Sequence, residues 1–295
     1  MRVAVTGASG FIGSALCRFL EDEGHSVARI VRKSPGPADI SWKPEAGRIE
    51  AEKLEGLDAV VHLAGENVAA GRWDARRKAA ILVSRTASTT LLSETLAKLT
   101  RKPRVLVSAS ALGYYGERPG AVDEGSSQGE GFLAEVCRKW EAASVPASEA
   151  GIRVVNLRIG MVLSPAGGAL RKMLPPFRLG LGACMGDGSG AMNWVCMDDL
   201  IRAALFCLET ESVAGPVNAT SPKPVTNLEF SRTLGRVLHR PALFSIPVPM
   251  IKLLFGEMGE ELFLGRPMAR PSKLLEAGFE FYCPDLEPAL RWLLG

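Results

Sequence analysis

The sequence predicts an α/β protein with a Rossmann-type, doubly wound parallel sheet and a smaller, mostly helical C-terminal lobe. Three observations predict this fold class. A β-type run beginning at Arg2 enters a glycine turn at Gly7, and apolar residues at helical spacing follow it. Strand and helix patterns then alternate as far as Ile159, and after Gly160 glycine and proline become frequent. Because βαβ units with right-handed crossovers build parallel sheets, the alternating half should form one such sheet.

The individual elements follow from hydrophobic periodicity and from the breakers between them. Gly24 ends the first helix, and the Pro35-Gly36-Pro37 cluster leaves residues 33–55 irregular or short-stranded. The predicted strands are Arg2–Thr6, Ser26–Val31, Asp58–Ala64, Arg104–Ser110, Arg153–Ile159 and Val217–Ala219. The predicted helices are Ile12–Glu23, Asp74–Leu99, Glu130–Glu149, Asp198–Leu208 and Asn227–Leu238.

The first turn predicts a dinucleotide site. Gly7 permits the tight turn, Gly10 lets backbone N–H groups approach phosphates, and Gly13 lets the helix pack closely on the strand. Such a turn receives the pyrophosphate at the helix N-terminus. Phe11 and Ile12 stand between these glycines and should belong to the same site. A plain strand-to-helix turn of another α/β fold is the alternative.

The end of the second strand predicts which dinucleotide is bound. An acidic residue there binds the ribose hydroxyls of NAD, whereas an arginine pairs with the 2′-phosphate of NADP. The strand ends in Val31-Arg32-Lys33, and no acidic residue occurs from Ser26 to Ala38. Arg32 could bind the phosphate through two hydrogen bonds and stack on adenine, with Lys33 adding charge. We therefore predict NADP, with solvated basic residues after a strand as the alternative.

These patterns divide the chain into two regions. Residues 1–164 should form the NADP-binding domain, and residues 165–295 a substrate-binding lobe that covers the crevice of the sheet. Within that lobe, residues 192–210 should pack back on the first domain.

Composition excludes several other classes. The 295 residues are 47% hydrophobic and 23% charged, which indicates a globular core. The net charge of +3 is spread along the chain, and the basic run at Arg72–Lys78 is interpreted as a solvated helix surface, so no nucleic-acid partner is predicted. No apolar run reaches membrane-spanning length, and we expect no signal peptide. The six cysteines include no C-x-x-C pair, so we expect free thiols, no metal site and a cytoplasmic location.

Several strings resemble the extended short-chain dehydrogenase/reductase (NAD-dependent epimerase/dehydratase) superfamily. They are Thr6–Gly13, His62–Gly65 after the middle strand, and Ser108–Ser110 at the end of the next strand. More narrowly, the chain resembles the atypical epimerase-like family from end to end. The narrower strings are Leu63–Asn67, Arg72-Trp73, Ser84-Arg85, Gly113–Gly116, Phe132–Cys137, Trp140-Glu141 and Pro176–Gly182.

The resemblance implies an NADP-binding fold and several contacts. It places Leu63 and Ala64 beside the adenine or ribose, with Gly65 in the same site, and it has Arg85 reach the cofactor. It also puts Val162 near the nicotinamide end. By composition alone, Leu63 and Ala64 could equally be core residues, and Arg85 an ordinary arginine of a helix surface.

The usual catalytic pair is absent. Ordinary members of the superfamily use a Ser, a Tyr and a Lys four residues after the Tyr, and the Lys lowers the Tyr pKa towards working pH. The three tyrosines here are followed four residues later by Arg118, Pro119 and Leu286. The helix that should carry the pair has Phe132 and Val136 at the two positions.

Ser110 and Tyr114 are the remaining catalytic candidates. Ser110 falls where the usual serine polarises a carbonyl, and Tyr114 follows one short turn later. A tyrosine without a cationic neighbour is a fair acid but a poor base at neutral pH, which favours reduction over dehydrogenation. Cationic help could come from Lys139 or Arg158. Alternatively, Ser110 only caps the strand end and the tyrosines pack the crevice.

A second string begins at Asn193-Trp194. Family members commonly carry a histidine where this chain has Cys196, which we interpret as a packed thiol. Asp199 should cap or orient the following helix, and Trp194 should line the substrate pocket. Glu66-Asn67 follows a strand at its carboxyl end and is a modest candidate for contacting substrate or ribose.

Two functions therefore stay open. The first is an NADP(H)-binding, epimerase-like oxidoreductase acting on a small carbonyl or sugar-like substrate. The second is a non-catalytic NADP(H)-binding sensor or regulatory protein. A homodimer formed through the long helices after residues 74 and 130 stays open as well.

Overall fold

The computed structural model describes residues 1–33, 35–264 and 266–295. In these ranges the strands are β1 (Arg2–Thr6), β2 (Ser26–Val31), β3 (Ile40–Lys43), β4 (Arg48–Ile49), β5 (Ala59–His62), β6 (Val105–Ala111), β7 (Ala121–Val122), β8 (Arg153–Ile159), β9 (Met161–Leu163), β10 (Ala183–Met185), β11 (Ala191–Met192), β12 (Trp194–Cys196), β13 (Gly215–Ala219), β14 (Val225–Thr226), β15 (Phe244–Ile246) and β16 (Met268–Ala269). The helices are α1 (Phe11–Asp22), α2 (Ala75–Lys98), α3 (Phe132–Ala142), α4 (Val145–Glu149), α5 (Gly168–Arg178), α6 (Met197–Glu209), α7 (Asn227–Val237), α8 (Val248–Phe255), α9 (Glu257–Phe263), α10 (Ser272–Glu276) and α11 (Leu286–Leu294). Short 3₁₀ turns lie at Pro44–Ala46, Ala51–Leu54 and Leu112–Tyr115.

The central sheet has eight strands in the order β13-β8-β6-β5-β1-β2-β3-β4. All neighbouring strands run parallel except β3 and β4 at one edge. The chain winds from β1 towards β3 on one side and from β5 towards β13 on the other. The predicted doubly wound sheet is therefore confirmed, and its switch point, where ligands bind in such sheets, lies between β1 and β5.

Residues of both faces of the sheet are buried, as the alternating strand residues require. Val3 and Val5 of β1 face a core shared with α1 and α6. Ala4 and Ile30 face a second core shared with α2 and α4. The sheet is thus enclosed by helices on both faces, and a ligand is expected beyond the carboxyl ends of its strands.

The C-terminal part is mostly helical. A third core joins α5, α7 and α11 to β12, with Trp194 and Phe230 completely buried in it. Small two-stranded sheets connect its segments. β13, although late in the chain, pairs with β8 and forms one edge of the central sheet. The division at residues 164 and 165 stays a prediction.

Two predicted elements differ from the structure. The expected helix over Glu130–Glu149 is two helices, α3 and α4, separated at Ala143 and Ser144. Pro146 explains the break, because proline has no N–H to donate and fits only the first turn of a helix. The expected strand over Asp58–Ala64 ends at His62, so Leu63 and Ala64 lie just beyond the carboxyl end of β5.

No helix within the described ranges combines the length and the apolar character that crossing a membrane would require.

Candidate active site

The turn after β1 fits a pyrophosphate. Gly7 has a φ of +67°, which favours glycine, and a Cβ on Gly13 would stand 2.1 Å from the carbonyl oxygen of Gly7. The N-cap of α1 is Gly10, whose missing side chain leaves the first amides uncapped, and the first turn holds no acidic residue. The first N–H groups of a helix have no partner inside it, so this terminus can donate to phosphate oxygens.

A buried histidine positions the neighbouring loop. The amides of Leu63 and Ala64 donate to Thr6 Oγ1 over 3.0 and 3.2 Å, and Thr6 Oγ1 lies 2.8 Å from His62 Nδ1. Burial lowers the pKa of His62 to about 4, so its ring is neutral near pH 7. Because Thr6 Oγ1 already accepts two bonds, its proton goes to Nδ1, and Nε2 donates to Thr89 Oγ1 at 2.9 Å. This network sets where Leu63 and Ala64 stand.

The loop after β5 is bound to α2. Arg85 donates to the carbonyl oxygen of Glu66 over 3.0 Å, and its Cζ lies 3.4 Å from where a Cβ on Gly65 would stand. Arg77 donates to the Glu66 carboxylate over 3.2 Å and to the Asn67 carbonyl oxygen. Arg85 therefore donates hydrogen bonds to the loop after β5. The predicted contact of Arg85 with a cofactor stays a prediction.

The other predicted cofactor residues lie near the carboxyl ends of the same parallel strands. Thr6 of β1 pairs with Ile30 of β2, so Arg32 follows β2 at the level of the glycine turn, and its side chain is exposed. On the opposite side, Phe11 packs so closely against the C-terminal lobe that a Cβ on Gly167 would stand 2.6 Å from its ring. Val162 lies nearby in β9, and Ile12 is half-buried in the first turn of α1.

Ser110 belongs to a buried charged cluster. Its hydroxyl donates to Glu141 Oε1 over 2.6 Å. Glu141 also accepts Nε and Nη2 of Arg158 at 2.8 and 2.9 Å, and Ser110 pairs with Arg158 across β6 and β8. Burial alone would lower the pKa of Arg158, but the charge and hydrogen bonds of Glu141 raise it above its usual range. The arginine is therefore a permanent cation beneath the candidate site.

Arg158 also contacts both candidate tyrosines. Its Cζ lies 3.5 Å from the ring centroid of Tyr114, a stacked cation–π geometry. Tyr115 is fully buried, accepts Arg158 Nη1 at 3.0 Å and donates to Asn218 Oδ1 at 2.8 Å. Burial raises the pKa of Tyr115, with Arg158 acting in the opposite direction. Tyr115 is thus committed to a structural network, whereas Tyr114 stays half-buried.

Of the two cations that the sequence offered as neighbours of Tyr114, Lys139 and Arg158, the structure places Arg158 against the tyrosine ring. Lys139 instead pairs with Glu135 at 2.7 Å on the outer surface of α3. Phe132 and Val136 are the residues that the sequence places at the usual Tyr and Lys positions. In α3, Phe132 packs edge-on against Trp73 with ring centroids 5.0 Å apart, and Val136 is buried. Both side chains make apolar contacts.

The structure tests two interpretations of the Asn193-Trp194 string. Trp194 is completely buried in the third core, so the expectation that it lines the substrate pocket is wrong. Asp199 stands in the first turn of α6, but its carboxylate does not cap that helix; it accepts the amides of Tyr282 and Cys283 at 2.7 and 2.9 Å. Burial and the neighbouring Cys283 raise the pKa of the Cys196 thiol, which fits its interpretation as a packed thiol.

Sequence reasoning missed two contacts from the C-terminal lobe. Glu261 of α9 accepts the amides of Phe132 and Leu133 at 2.8 and 3.3 Å and so caps α3. Arg266 reaches the 3₁₀ turn after β6, where its Nη1 lies 3.7 Å from the position of a Cβ on Gly113. Neither has a signal in the sequence, because each acts on residues more than a hundred positions away.

Comparisons with known proteins agree along the whole chain. The model of the NAD dependent epimerase/dehydratase family matches residues 3–219, and that of a domain of unknown function, DUF1731, matches residues 246–293. An epimerase family protein of Mycobacterium bovis is 43% identical over 292 residues, which are 98% of this chain and 96% of that protein. The human epimerase family protein SDR39U1 is 36% identical over 299 residues, 100% of both chains.

Solved structures show the same likeness. The crystal structure of human SDR39U1 (isoform 2) with NADPH has a TM-score of 0.90 at 35% identity and covers 99% of each chain. UDP-glucuronic acid 4-epimerase from Bacillus cereus in complex with NAD has a TM-score of 0.74 at 20% identity, covering 99% of this chain and 94% of that one. The second likeness shows the fold alone.

Proposed function

This chain belongs to the NAD-dependent epimerase/dehydratase family, as its motifs indicated, and from that membership we propose that it is an NADP(H)-dependent oxidoreductase acting on a small carbonyl or sugar-like substrate. The observation that carries the proposal is the cluster of Ser110, Glu141, Arg158 and Tyr114. The cluster lies where β6 and β8 end, and the glycine turn follows the carboxyl end of the parallel strand β1 on the same side of the sheet. A proton donor and a permanent cation are thus close together in a dinucleotide-binding fold.

The proposed cofactor is NADP(H). The uncapped N-terminus of α1 would bind the pyrophosphate, and the exposed guanidinium of Arg32 would bind the 2′-phosphate. Leu63 and Ala64, positioned by the Thr6–His62 network, would contact the adenosine part. The structure of the human relative with NADPH supports the choice of NADP over NAD.

The proposed reaction is reduction of a carbonyl, for which bound NADPH supplies the hydride. Tyr114 would give its proton to the oxygen that becomes an alkoxide. Arg158, whose Cζ lies 3.5 Å from the centre of that ring, would stabilise the phenolate left behind. The reverse oxidation would use the Tyr114 phenolate as its base, and the same guanidinium would stabilise that phenolate, so the oxidation state of the bound nicotinamide would set the direction.

Ser110 would polarise the carbonyl. Its hydroxyl must first turn away from Glu141, to which it donates over 2.6 Å. Glu141 would not be left unpaired by this movement, because it keeps two N–H bonds from Arg158. The ion pair of Glu141 and Arg158 would therefore stay in place while the Ser110 hydroxyl turns to donate its hydrogen bond to the substrate.

The direct experiment replaces one hydroxyl. Tyr114→Phe should reduce turnover with NADPH by about 10²–10⁴-fold, the usual contribution of a positioned proton donor, and leave NADPH affinity unchanged. Turnover would be followed by NADPH absorbance across a panel of small aldehydes, ketones and keto sugars. Tyr282→Phe, which removes a hydroxyl from an exposed tyrosine, is the matched control. Normal turnover by Tyr114→Phe would remove this residue from the mechanism.

One observation favours a second function. The Ser110 proton is directed at Glu141, and the positions of the usual Tyr and Lys hold Phe132 and Val136. These features suit a protein that binds NADP(H) without turnover and responds to it as a sensor. Tight NADPH binding by the wild type without turnover of any carbonyl in the panel would favour that function.

We also propose a location and partners for this protein. The free thiols suit the reducing cytoplasm, and a small-molecule substrate is the expected partner. A homodimer through α2 and α3 is retained as a proposal. Its test is the molar mass by light scattering, which would be twice that of the 31.5 kDa chain.

A further inference from the structure

Three metal-binding side chains meet away from the candidate active site. The Sγ atoms of Cys196 and Cys283 and a carboxylate oxygen of Asp199 all lie within 4.8 Å of one another. Cys196 ends β12, Asp199 stands in the first turn of α6, and Cys283 precedes α11. Cys283 lies 84 residues after Asp199, so no local spacing pattern indicated the cluster, and the sequence predicted no metal site.

Backbone contacts fix the geometry of the cluster. Asp199 Oδ1 and Oδ2 accept the amides of Tyr282 and Cys283 at 2.7 and 2.9 Å. Ser221 donates to the carbonyl oxygen of Pro284 over 2.8 Å. These backbone hydrogen bonds therefore hold Cys283 against the start of α6.

The charges of the cluster suit a divalent cation. Two thiolates and one carboxylate carry three negative charges, and Arg202 Nη1, 3.3 Å from Asp199 Oδ1, contributes one positive charge. A divalent ion would bring this group to neutrality. Without an ion, burial and the neighbouring carboxylates of Asp198 and Asp199 raise the pKa of both thiols.

An ion can reach the cluster. Cys283 and Asp198 line an open cavity of about 610 Å³, while Cys196 is completely buried behind them. Asp198 or water from this cavity could complete a fourfold coordination. Zinc favours four ligands with sulfur among them, and thiolate ligands exclude Mg²⁺ and Ca²⁺ as occupants.

We propose that Cys196, Cys283 and Asp199 bind one Zn²⁺-like cation, which joins the segment before α11 to the start of α6. The site uses none of the side chains of the proposed reaction, so it can be tested separately from it. Its effect is structural: the ion replaces two thiol protons and crosslinks the C-terminal segment to the main body.

The experiment uses the full chain, reduced and freed of metal. Titration with Zn²⁺ against a chromophoric chelator should give one site per chain, and Cd²⁺ should produce the ultraviolet thiolate charge-transfer band. Cys283→Ser and Cys196→Ser should each weaken Zn²⁺ binding by more than about 100-fold, since loss of an outer partner alone costs 10–100-fold. Cys184→Ser, which changes a buried thiol elsewhere, should bind Zn²⁺ as the wild type does.

Thermal unfolding provides an independent reading. Zn²⁺ should raise the Tm of the wild type and of Cys184→Ser, and it should leave the Tm of Cys283→Ser unchanged. Cys283 is partly exposed, so this variant can decide the question even if Cys196→Ser does not fold. A wild type without a Zn²⁺ site, or a Cd²⁺ band that persists in Cys283→Ser, would each overturn the proposal.

Discussion

At the scale of single residues, long-range partners determine what each predicted side chain can do. Ser110 and Tyr114 could be predicted because they end a strand pattern and follow it by one turn. Glu141 could not be linked to them, since it comes from α3 and reaches Ser110 only through the packing of that helix on β6. The same limit applies to Arg158, whose place in β8 the sequence predicted but whose contacts with Glu141 and Tyr114 it did not.

His62 makes a residue-scale prediction about pH. Its pKa in the folded protein is about 4, against an ordinary value of 6.5, so the unfolded chain binds the proton more readily. The contribution of the neutral His62 ring to the free energy of unfolding is fully present above about pH 6.5, and it is lost as the pH falls towards 4. The free energy of unfolding should fall by about 3 kcal/mol over this interval because of His62 alone.

Urea titrations at a series of pH values measure this effect. His62→Gln should remove that part of the pH dependence, and His239→Gln, at an exposed histidine, should retain it. If both variants kept the slope of the wild type, the Thr6–His62–Thr89 network would not carry the proton linkage described here.

At the scale of elements, local sequence patterns were sufficient to predict the bounds of helices and strands where a strand, a turn and a helix follow one another directly. The bounds of β1, β2, β8 and α2 agree with expectation within a residue. The expected helix over Glu130–Glu149 was wrong because its apolar periodicity continues across Ser144, and only Pro146 marks the new helix. The short β13 was predicted as a strand, but no local signal shows that it pairs with β8 in the central sheet.

The glycine turn makes the element-scale prediction. Gly13→Ala would place a Cβ 2.1 Å from the carbonyl oxygen of Gly7, and α1 would have to move away from β1. We expect a loss of about 1–3 kcal/mol in stability, as for other overpacked sites, and at least a tenfold loss of NADPH affinity.

Gly10→Ala separates the two effects. Its Cβ would stand 3.0 Å from the same oxygen, a milder contact, but it would crowd the approach of phosphates to the helix N-terminus. We expect weaker NADPH binding with little change in the urea midpoint. Unchanged NADPH binding by both alanine variants would show that the turn does not receive the cofactor.

At the scale of the whole molecule, the C-terminal lobe is fastened across the N-termini of α2 and α3. Arg72 donates to the carbonyl oxygen of Leu253 over 3.0 Å, and Lys78 pairs with Glu257 at 2.7 Å. Glu261 caps α3 from the same side. A smaller helical lobe was predictable from glycine, proline and helix patterns, whereas the surface that it covers depends on these tertiary contacts.

Glu261 tests this arrangement. Glu261→Ala would leave the amides of Phe132 and Leu133 without their acceptor and should cost about 1 kcal/mol of stability, the usual value for a helix cap. Glu260→Ala, on the same helix, removes only a surface ion pair with Lys252 and should cost much less. Equal urea midpoints for the two variants would argue against docking of the lobe through α3.

The most direct test of the central claim is a binding titration of the wild type with NADPH and with NADH, followed by energy transfer from tryptophan to the nicotinamide. With a 2′-phosphate bound by Arg32, NADPH should bind at least about tenfold more tightly than NADH, and Arg32→Ala should remove that preference while changing NADH affinity little. Equal affinities in the wild type, or binding of neither nucleotide, would contradict the proposal of an NADP(H)-dependent enzyme at this edge of the sheet.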